Sequence, residues 1–384
     1  MPVLYQDAKV VFSRLDILRK HVTFDKIVII SPPSLQYVAI GKSLQFVNEN
    51  DLVSFQAVKQ VFFDRGYDPK GHAGWYYQQF LKMSYARICK KEYYLIWDSD
   101  VVPIRKVNMF QGNHPYFDMA SEHHHPYFVT LNRILPQLKF SNASYVSEHM
   151  IIKTEYMKNL LDEIERNDKI KGKTYWEKIL YSIDIEELLK TGFSEFETYG
   201  TYVDNRYPNY YIHREWSSCR SIKHYYGKLA NIRDQDIQWL AKDFDVITFE
   251  KWGKRFERDI YEVVINSYFQ QLFSPKQLFS ATMIDINHGL NYNIDLYDFV
   301  EWIKEFPLLR TSSQSSANLP TPINVDNLVQ AIQSINNLQI TKFLFILIIL
   351  FETVFILIRF LCPIHVKIEK NQQIKGISIH IWKD

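Results

Sequence analysis

Two acids stand one residue apart at Asp98-Ser99-Asp100, directly after the apolar run Tyr93-Tyr94-Leu95-Ile96-Trp97. Carboxylates in that position offer hard oxygen ligands to Mg²⁺ or Mn²⁺, directly or through water, and such ions bridge to diphosphate oxygens. The ion then stabilises charge on a departing nucleoside diphosphate. This reading assigns Asp98 and Asp100 to a divalent metal, with Asp98 also touching the donor. The plainer alternative is an acidic turn capping the strand, because a bare Asp-x-Asp is common.

The segment just upstream adds weight. Trp75, Gln78, Gln79 and Lys82 fall at i, i+3, i+4 and i+7, one face of a helix. A buried face spends two amides and a lysine only where they have partners. Lys82 is placed to meet a phosphate, Gln79 to read a polar ligand edge and Trp75 to line the donor. A solvated face with Trp75 partly packed is the alternative.

Gly74-Trp75-Tyr76-Tyr77-Gln78-Gln79-Phe80-Leu81-Lys82-Met83 and Tyr94-Leu95-Ile96-Trp97-Asp98-Ser99-Asp100 are joined by two further blocks, Ser147-Glu148-His149-Met150 and Phe193-Ser194-Glu195-Phe196-Glu197-Thr198-Tyr199-Gly200. In order and spacing, over roughly residues 1–250, this set resembles a little-characterised microbial family of GT-A glycosyltransferases with a DxD motif. The resemblance implies a nucleotide-sugar donor, a divalent metal and a GT-A sheet, and leaves sugar, acceptor and stereochemistry open.

Under that resemblance, an inverting enzyme needs a carboxylate to take the acceptor's proton. Glu195 is the expected base. Glu195 and Glu197 share a face if their segment is a strand, so Glu197 is expected on the acceptor side. Structural or solvent-facing acids are the alternative. Glu148 and His149 are likewise assigned to the acceptor, against the reading of His149 as a satisfied structural histidine. His123-His124-His125 reads as a loop, since three consecutive side chains do not converge easily on one ion. His224-Tyr225-Tyr226-Gly227 is similar to the start of the His-x-x-Gly element of glycogenin-like GT-A enzymes, which implies His224 as a further metal ligand, with His213 competing for that role. Arg214, Arg220, Lys223 and Lys228 stand nearby to neutralise diphosphate charge.

These residues require a scaffold. Residues 7–22 have helical spacing, Lys26 to Ser31 is a buried-strand run stopped by Pro32-Pro33, and Gln36 to Ile40 reads as another short strand. Gly74 to Lys90 is helical and feeds the strand ending at Asp98. Residues 153–167 and 173–190 are helical, with Gly192 as a stop, and Phe193 to Tyr202 reads as loop and strand. Alternating strands and helices predict an α/β fold of GT-A type, Rossmann-like, with a mostly parallel central sheet flanked by helices and a C-terminal hydrophobic helix. Ligands then sit outside the carboxyl ends of the strands. The expected organisation is a GT-A domain over 1–270, a helical extension over 271–310, a linker over 311–338, a hydrophobic membrane-associated helix over 339–363 and a basic tail over 364–384.

The chain's 384 residues hold 45 Lys plus Arg against 43 Asp plus Glu, a net +2, so no strong field favours nucleic acid. The three cysteines, Cys89, Cys219 and Cys362, form neither a disulfide framework nor a zinc pattern, and a reducing compartment fits. No secretory signal is read at the N-terminus.

Residues 343–361 have the length of a membrane span, although Glu352 lies near the middle and basic residues gather after the segment. The expectation is a domain tethered by its C-terminus to the cytoplasmic face of a membrane, acting on a glycan or lipid-linked acceptor. A catalytically inactive, membrane-tethered carbohydrate-binding protein is the alternative. A nucleotidyltransferase ranks lower, because residues 3–11 hold no glycine for a phosphate loop.

Overall fold

A computed structural model describes residues 1–3, 7–220 and 222–249, a few positions within 270–279, and the backbone of 364–371 and 376–383. The described elements run α1 (Ala8–His21), β1 (Val28–Ser31), α2 (Gln36–Gly41), β2 (Gln45–Asn48), α3 (Phe55–Asp64), α4 (His72–Ser84), β3 (Tyr93–Trp97), β4 (Val101–Pro103), β5 (Phe110–Gln111) and β6 (His114–Met119). They continue with α5 (His125–Ile134), β7 (His149–Lys153), α6 (Thr154–Arg166), α7 (Tyr175–Ser182), α8 (Ile185–Leu188), α9 (Glu195–Arg206), β8 (Ile212–Glu215), β9 (Ser218–Cys219), α10 (Ile222–Tyr226), α11 (Asp234–Leu240) and β10 (Val246–Thr248). A C-terminal pair follows, β11 (Ile364–Asn371) and β12 (Gly376–Lys383).

The chain divides into two units. The first comprises Met1–Lys223, Gly227–Ile232 and Phe244–Gly253. Its fold is mixed α/β, and its strands form small ladders of both senses. β1–β2, β6–β8 and β9–β10 pair parallel, whereas β3–β7, β4–β10 and β5–β6 pair antiparallel. A mostly parallel sheet was the expectation, and the described ladders do not form one. Apolar runs mark strands but carry no direction, so alternation with helices could not reveal that β7 returns antiparallel to β3.

The larger core gathers around α4. Tyr76, Phe80 and Met83 are fully enclosed there, against Ile96 of β3, Ile152 of β7 and the apolar faces of α6, α7 and α9. Each such side chain contributes about 1.5–3 kcal/mol of transfer free energy. Gly71, in the left-handed region at φ 90°, turns the chain into α4. A second core lies under α1 and β1 and takes in Trp97, Val101 and Val246. β3 therefore runs between the two cores and delivers its last residues to their shared edge.

Three segments differ from the sequence reading. Gln36–Gly41 is helical, entered through a 3₁₀ turn that starts at Pro33, and of its residues Ala39 is buried while Tyr37, Val38 and Ile40 face outward. Its apolar run therefore marks a short surface helix rather than a strand. Phe193 to Tyr202 is mostly helix α9, capped by Ser194, whose hydroxyl accepts the Glu197 N–H at 3.2 Å. The Glu-Phe-Glu alternation imitates a strand, but the Ser-x-x-Glu cap decides the local structure. Helix α9 crosses close to Tyr145: a Cβ at Gly200 would lie 2.2 Å from that ring, so this position admits only glycine without movement. Residues 173–190 form two short helices, α7 and α8, rather than one.

In the second unit, α11 begins with Asp236 gripped by the Arg233 guanidinium at 2.7 Å and by the Gln270 amide at 2.7 Å. Phe279 stacks on Tyr225 with ring centroids 4.4 Å apart. β11 and β12 pair antiparallel, from Ile364 opposite Lys383 to Asn371 opposite Gly376, so the expected basic tail carries a strand pair. The expected extension, linker and hydrophobic helix over 271–310, 311–338 and 339–363 lie, but for scattered positions, outside the described residues. Among the described residues, no helix is long and apolar enough to cross a membrane.

Candidate functional site

The site starts from the end of β3. After Trp97 the chain turns through Asp98-Ser99-Asp100 and enters β4, with the Val101 N–H donating to the Asp98 carbonyl at 3.2 Å. Neighbours on both sides fasten the turn. The Asp98 N–H donates to the Glu148 carbonyl at 3.1 Å, and the Phe249 N–H donates to the Asp100 carbonyl at 3.1 Å. The Trp97 indole N–H donates to the Val101 carbonyl at 3.1 Å, closing the turn from inside.

Each aspartate has a basic neighbour. The Lys82 ammonium binds Asp98 Oδ1 and, at 2.6 Å, Glu195 Oε1. Lys82 and Glu195 are 5% and 4% exposed, whereas Asp98 is 27% exposed, so the triad opens outward through Asp98 alone. Burial by itself would lower the lysine's pKa; Asp98 and Glu195 overcome it and hold the ammonium above its ordinary value. Burial likewise pushes the Glu195 carboxyl up, with Lys82 pulling the other way.

On the other side of the turn, Arg14 of α1 donates to the Ser99 carbonyl at 3.3 Å and lies over the Phe249 ring. Its pKa is lowered by burial, an effect that the nearby Asp100 opposes. Its Nε is buried without a hydrogen-bond partner among the described residues.

The sequence-derived residues do not form one cluster. Lys82, Asp98 and Glu195 converge, and Gln79 joins them by accepting the Glu195 N–H at 3.0 Å. Gln79 thus holds the first turn of α9 against α4, and its amide N–H reaches the Trp75 carbonyl at 3.4 Å. Trp75 packs edge-on against Tyr76 beside the core, while Gln78 is exposed, so the proposed helix face is divided between core and solvent.

Glu148 precedes β7 and His149 begins it, and the two do different things. Glu148 is held in the left-handed region at φ 66°, an uncommon conformation for a residue with a side chain. Its buried carboxylate accepts from Ser218 Oγ at 2.6 Å and Thr248 Oγ1 at 3.1 Å, and Arg220 Nε lies 3.2 Å from it. His149 is 1% exposed. Its Nε2 bonds Asp118 at 2.9 Å and its Nδ1 bonds the Ser147 carbonyl at 2.8 Å, while its ring lies between Trp97 and Trp216. Burial would raise the Asp118 carboxyl, but His149 and the bidentate Arg214 hold it below its ordinary value. An acceptor hydroxyl has no free edge of this imidazole to approach.

Glu197 does not share a face with Glu195, because successive odd positions diverge by about 200° on a helix. It is buried beneath Ser144 and Tyr145, whose hydroxyl and backbone N–H donate to its Oε2 at 3.0 and 3.2 Å. Burial pushes its carboxyl up to about 7. The strand geometry that placed Glu195 and Glu197 side by side is therefore corrected to one helical turn with two separate partners.

His224 lies in α10, but its side chain is outside the described residues. His213 bonds Asp204 at 2.8 Å, which raises its pKa. Among the described residues no group of three His, Cys, Asp or Glu is arranged to hold a metal ion.

Sequence reasoning missed Arg14, Glu122, Ser218 and Thr248. Glu122 is 35% exposed and pairs with Arg220, extending the charged network from Glu148 toward solvent. The Tyr127 hydroxyl, its pKa pushed up by burial, lies within the fields of both Glu122 and Glu195. No spacing rule connects these positions. They meet because α1, β9, β10 and the loop before α5 converge on the end of β3.

A family model described as a family of unknown function, DUF6492, matches residues 5–278. The chain belongs to this family. The DUF6492 match spans the Lys82–Asp98–Glu195 triad, the Glu148 network and β10. No curated protein matches the chain.

Proposed function

We propose that this DUF6492 chain is a metal-dependent glycosyltransferase of GT-A type that moves a sugar from a nucleotide-sugar donor to a glycan or lipid-linked acceptor. The observation that carries the reading is the partly exposed Asp98, presented at the carboxyl end of β3 over a buried lysine–glutamate pair, with Asp100 following on the same fastened turn.

The donor set fits a hard divalent cation. Mg²⁺ and Mn²⁺ take oxygen ligands, and two carboxylates suffice where waters and substrate phosphates complete the shell. Asp98 and Asp100 would hold the ion, which when bound supplies charge stabilisation for the departing nucleoside diphosphate. The remaining work belongs to the chain's own groups. Lys82 neutralises Asp98 before the ion arrives, Glu195 and Gln79 hold Lys82 and α9 in place, and Glu148 anchors the backbone of the turn. Arg220 offers a partly exposed guanidinium beside Glu148 for phosphate oxygens.

Glu195 is too enclosed and too firmly paired to take a proton from an acceptor. We reassign it from base to positioning residue. Membrane tethering through residues 339–363 remains part of the proposal, on the apolar sequence of that segment.

One observation favours a second reading. Both aspartates already have basic neighbours, as expected of an inactive carbohydrate-binding protein that no longer needs a cation. Incubation with a panel of nucleotide sugars and Mn²⁺, with detection of released nucleoside diphosphate, separates the two. The transferase reading expects release from at least one donor. Sugar binding without release from any donor, with or without added acceptor glycans, overturns it.

A further inference from the structure

The Lys82 ammonium carries two carboxylates of unequal accessibility. Glu195 is enclosed, with its backbone N–H on Gln79 and its helix start capped by Ser194. The Phe196 ring lies 4.9 Å from the same ammonium, a second inner partner with a favourable face for a cation. Asp98 is the outer, partly exposed partner.

We propose that Lys82 is the resident counter-cation of Asp98, that an arriving divalent cation competes with it for that carboxylate, and that Glu195 is the positioning residue that retains the ammonium when Asp98 is surrendered. This rests on the metal reading given above.

The charges make the competition unavoidable. An ammonium bonded to one Asp98 oxygen stands within several ångströms of any cation on the other, and like charges at that range repel strongly in a partly buried site. Were Asp98 the lysine's sole partner, loss of that partner would strand a buried charge, which is costly. Glu195 and Phe196 remove that penalty, because the ammonium keeps an anion and an aromatic face after Asp98 turns outward. Glu195 thereby tunes cation affinity without touching the cation.

The test is Mn²⁺ binding to the full chain without nucleotide or sugar, read as free Mn²⁺ by electron paramagnetic resonance. Lys82→Met should tighten Mn²⁺ binding about tenfold or more, since the repelling charge is gone. Glu195→Gln should weaken it by about tenfold, because Lys82 then has Asp98 as its sole carboxylate.

Opposite shifts from two residues in one ion pair are not what general damage to the fold produces. Shifts of the same sign, or affinities unchanged in both variants, overturn the proposal while leaving a metal site in place. Absence of Mn²⁺ binding in wild type and every variant, both alone and with an added nucleoside diphosphate, overturns the metal reading itself, and the competition with it. If Lys82→Met does not fold, the isosteric Glu195→Gln decides alone: unchanged or tighter binding contradicts the proposal.

Discussion

Glu148 and Asp98 are joined through the backbone. The carbonyl of Glu148, a residue in the left-handed region, accepts the N–H of Asp98 at 3.1 Å, so the conformation of one sets the position of the other. Left-handed backbone costs a residue with a Cβ about 1–2 kcal/mol, and the Glu148 carboxylate offsets this by satisfying Ser218 and Thr248. Glu148→Ala removes the compensation and keeps the strain, for an expected loss of about 2–4 kcal/mol. Glu148→Gly removes both and should be about 1 kcal/mol more stable than the alanine variant. Urea denaturation of the pair checks the order, and an alanine variant equal to or better than glycine contradicts the strain.

The pH dependence of stability should report Glu197. Its carboxyl is raised from the ordinary 4.5 to about 7 by burial. Between those values the folded state binds more protons than the unfolded chain, so stability falls as pH rises through that window. The favourable contribution is fully present below about 4.5 and lost above about 7, a change of roughly 3 kcal/mol. Glu197→Gln keeps an acceptor for Ser144 and Tyr145 and has no proton to lose. Denaturation midpoints from pH 5 to 8 should decline in the wild type and stay flatter in this variant; parallel declines would show that another group is responsible.

His149 should prove structural. Its removal leaves a space between Trp97 and Trp216 and strips one partner from buried Asp118. His149→Ala should cost about 2–4 kcal/mol, combining cavity and lost hydrogen bonds. Calorimetry checks this directly. A variant with wild-type melting behaviour but reduced use of acceptor would instead restore the acceptor role expected from sequence.

The sequence revealed α1, β1, α4 and β3 well, because each has a strong period or an unbroken apolar run with clear stops. It therefore located Asp98 at the end of a strand. It assigned Lys82 to a phosphate and Gln79 to a ligand edge, whereas both meet Glu195, 113 residues after Lys82. Such pairings depend on where α9 docks, which no local pattern encodes. The alternation around Glu195 and Glu197 misled because a two-residue period arose inside a helix whose capping serine was the more informative signal. Strand direction was equally hidden: the residues of β7 are as apolar as those of a parallel neighbour, and only the register Trp97 opposite His149 shows the chain returning. Arg14 escaped notice because its relevance comes from its proximity to Ser99 and Asp100, 85 residues from Arg14 in the case of the Ser99 hydrogen bond.

The most direct test of the central claim is nucleoside diphosphate release from the responsive nucleotide sugar, in Mn²⁺, by wild type, Asp98→Asn and Asp100→Asn. Each substitution keeps size and polarity while removing a carboxylate charge, so chelation is lost with little disturbance of the turn. The account predicts Mn²⁺-dependent release by wild type, abolished by a chelator, and a fall of about a hundredfold or more in each variant. Full activity in both variants, or release indifferent to the chelator, would contradict it.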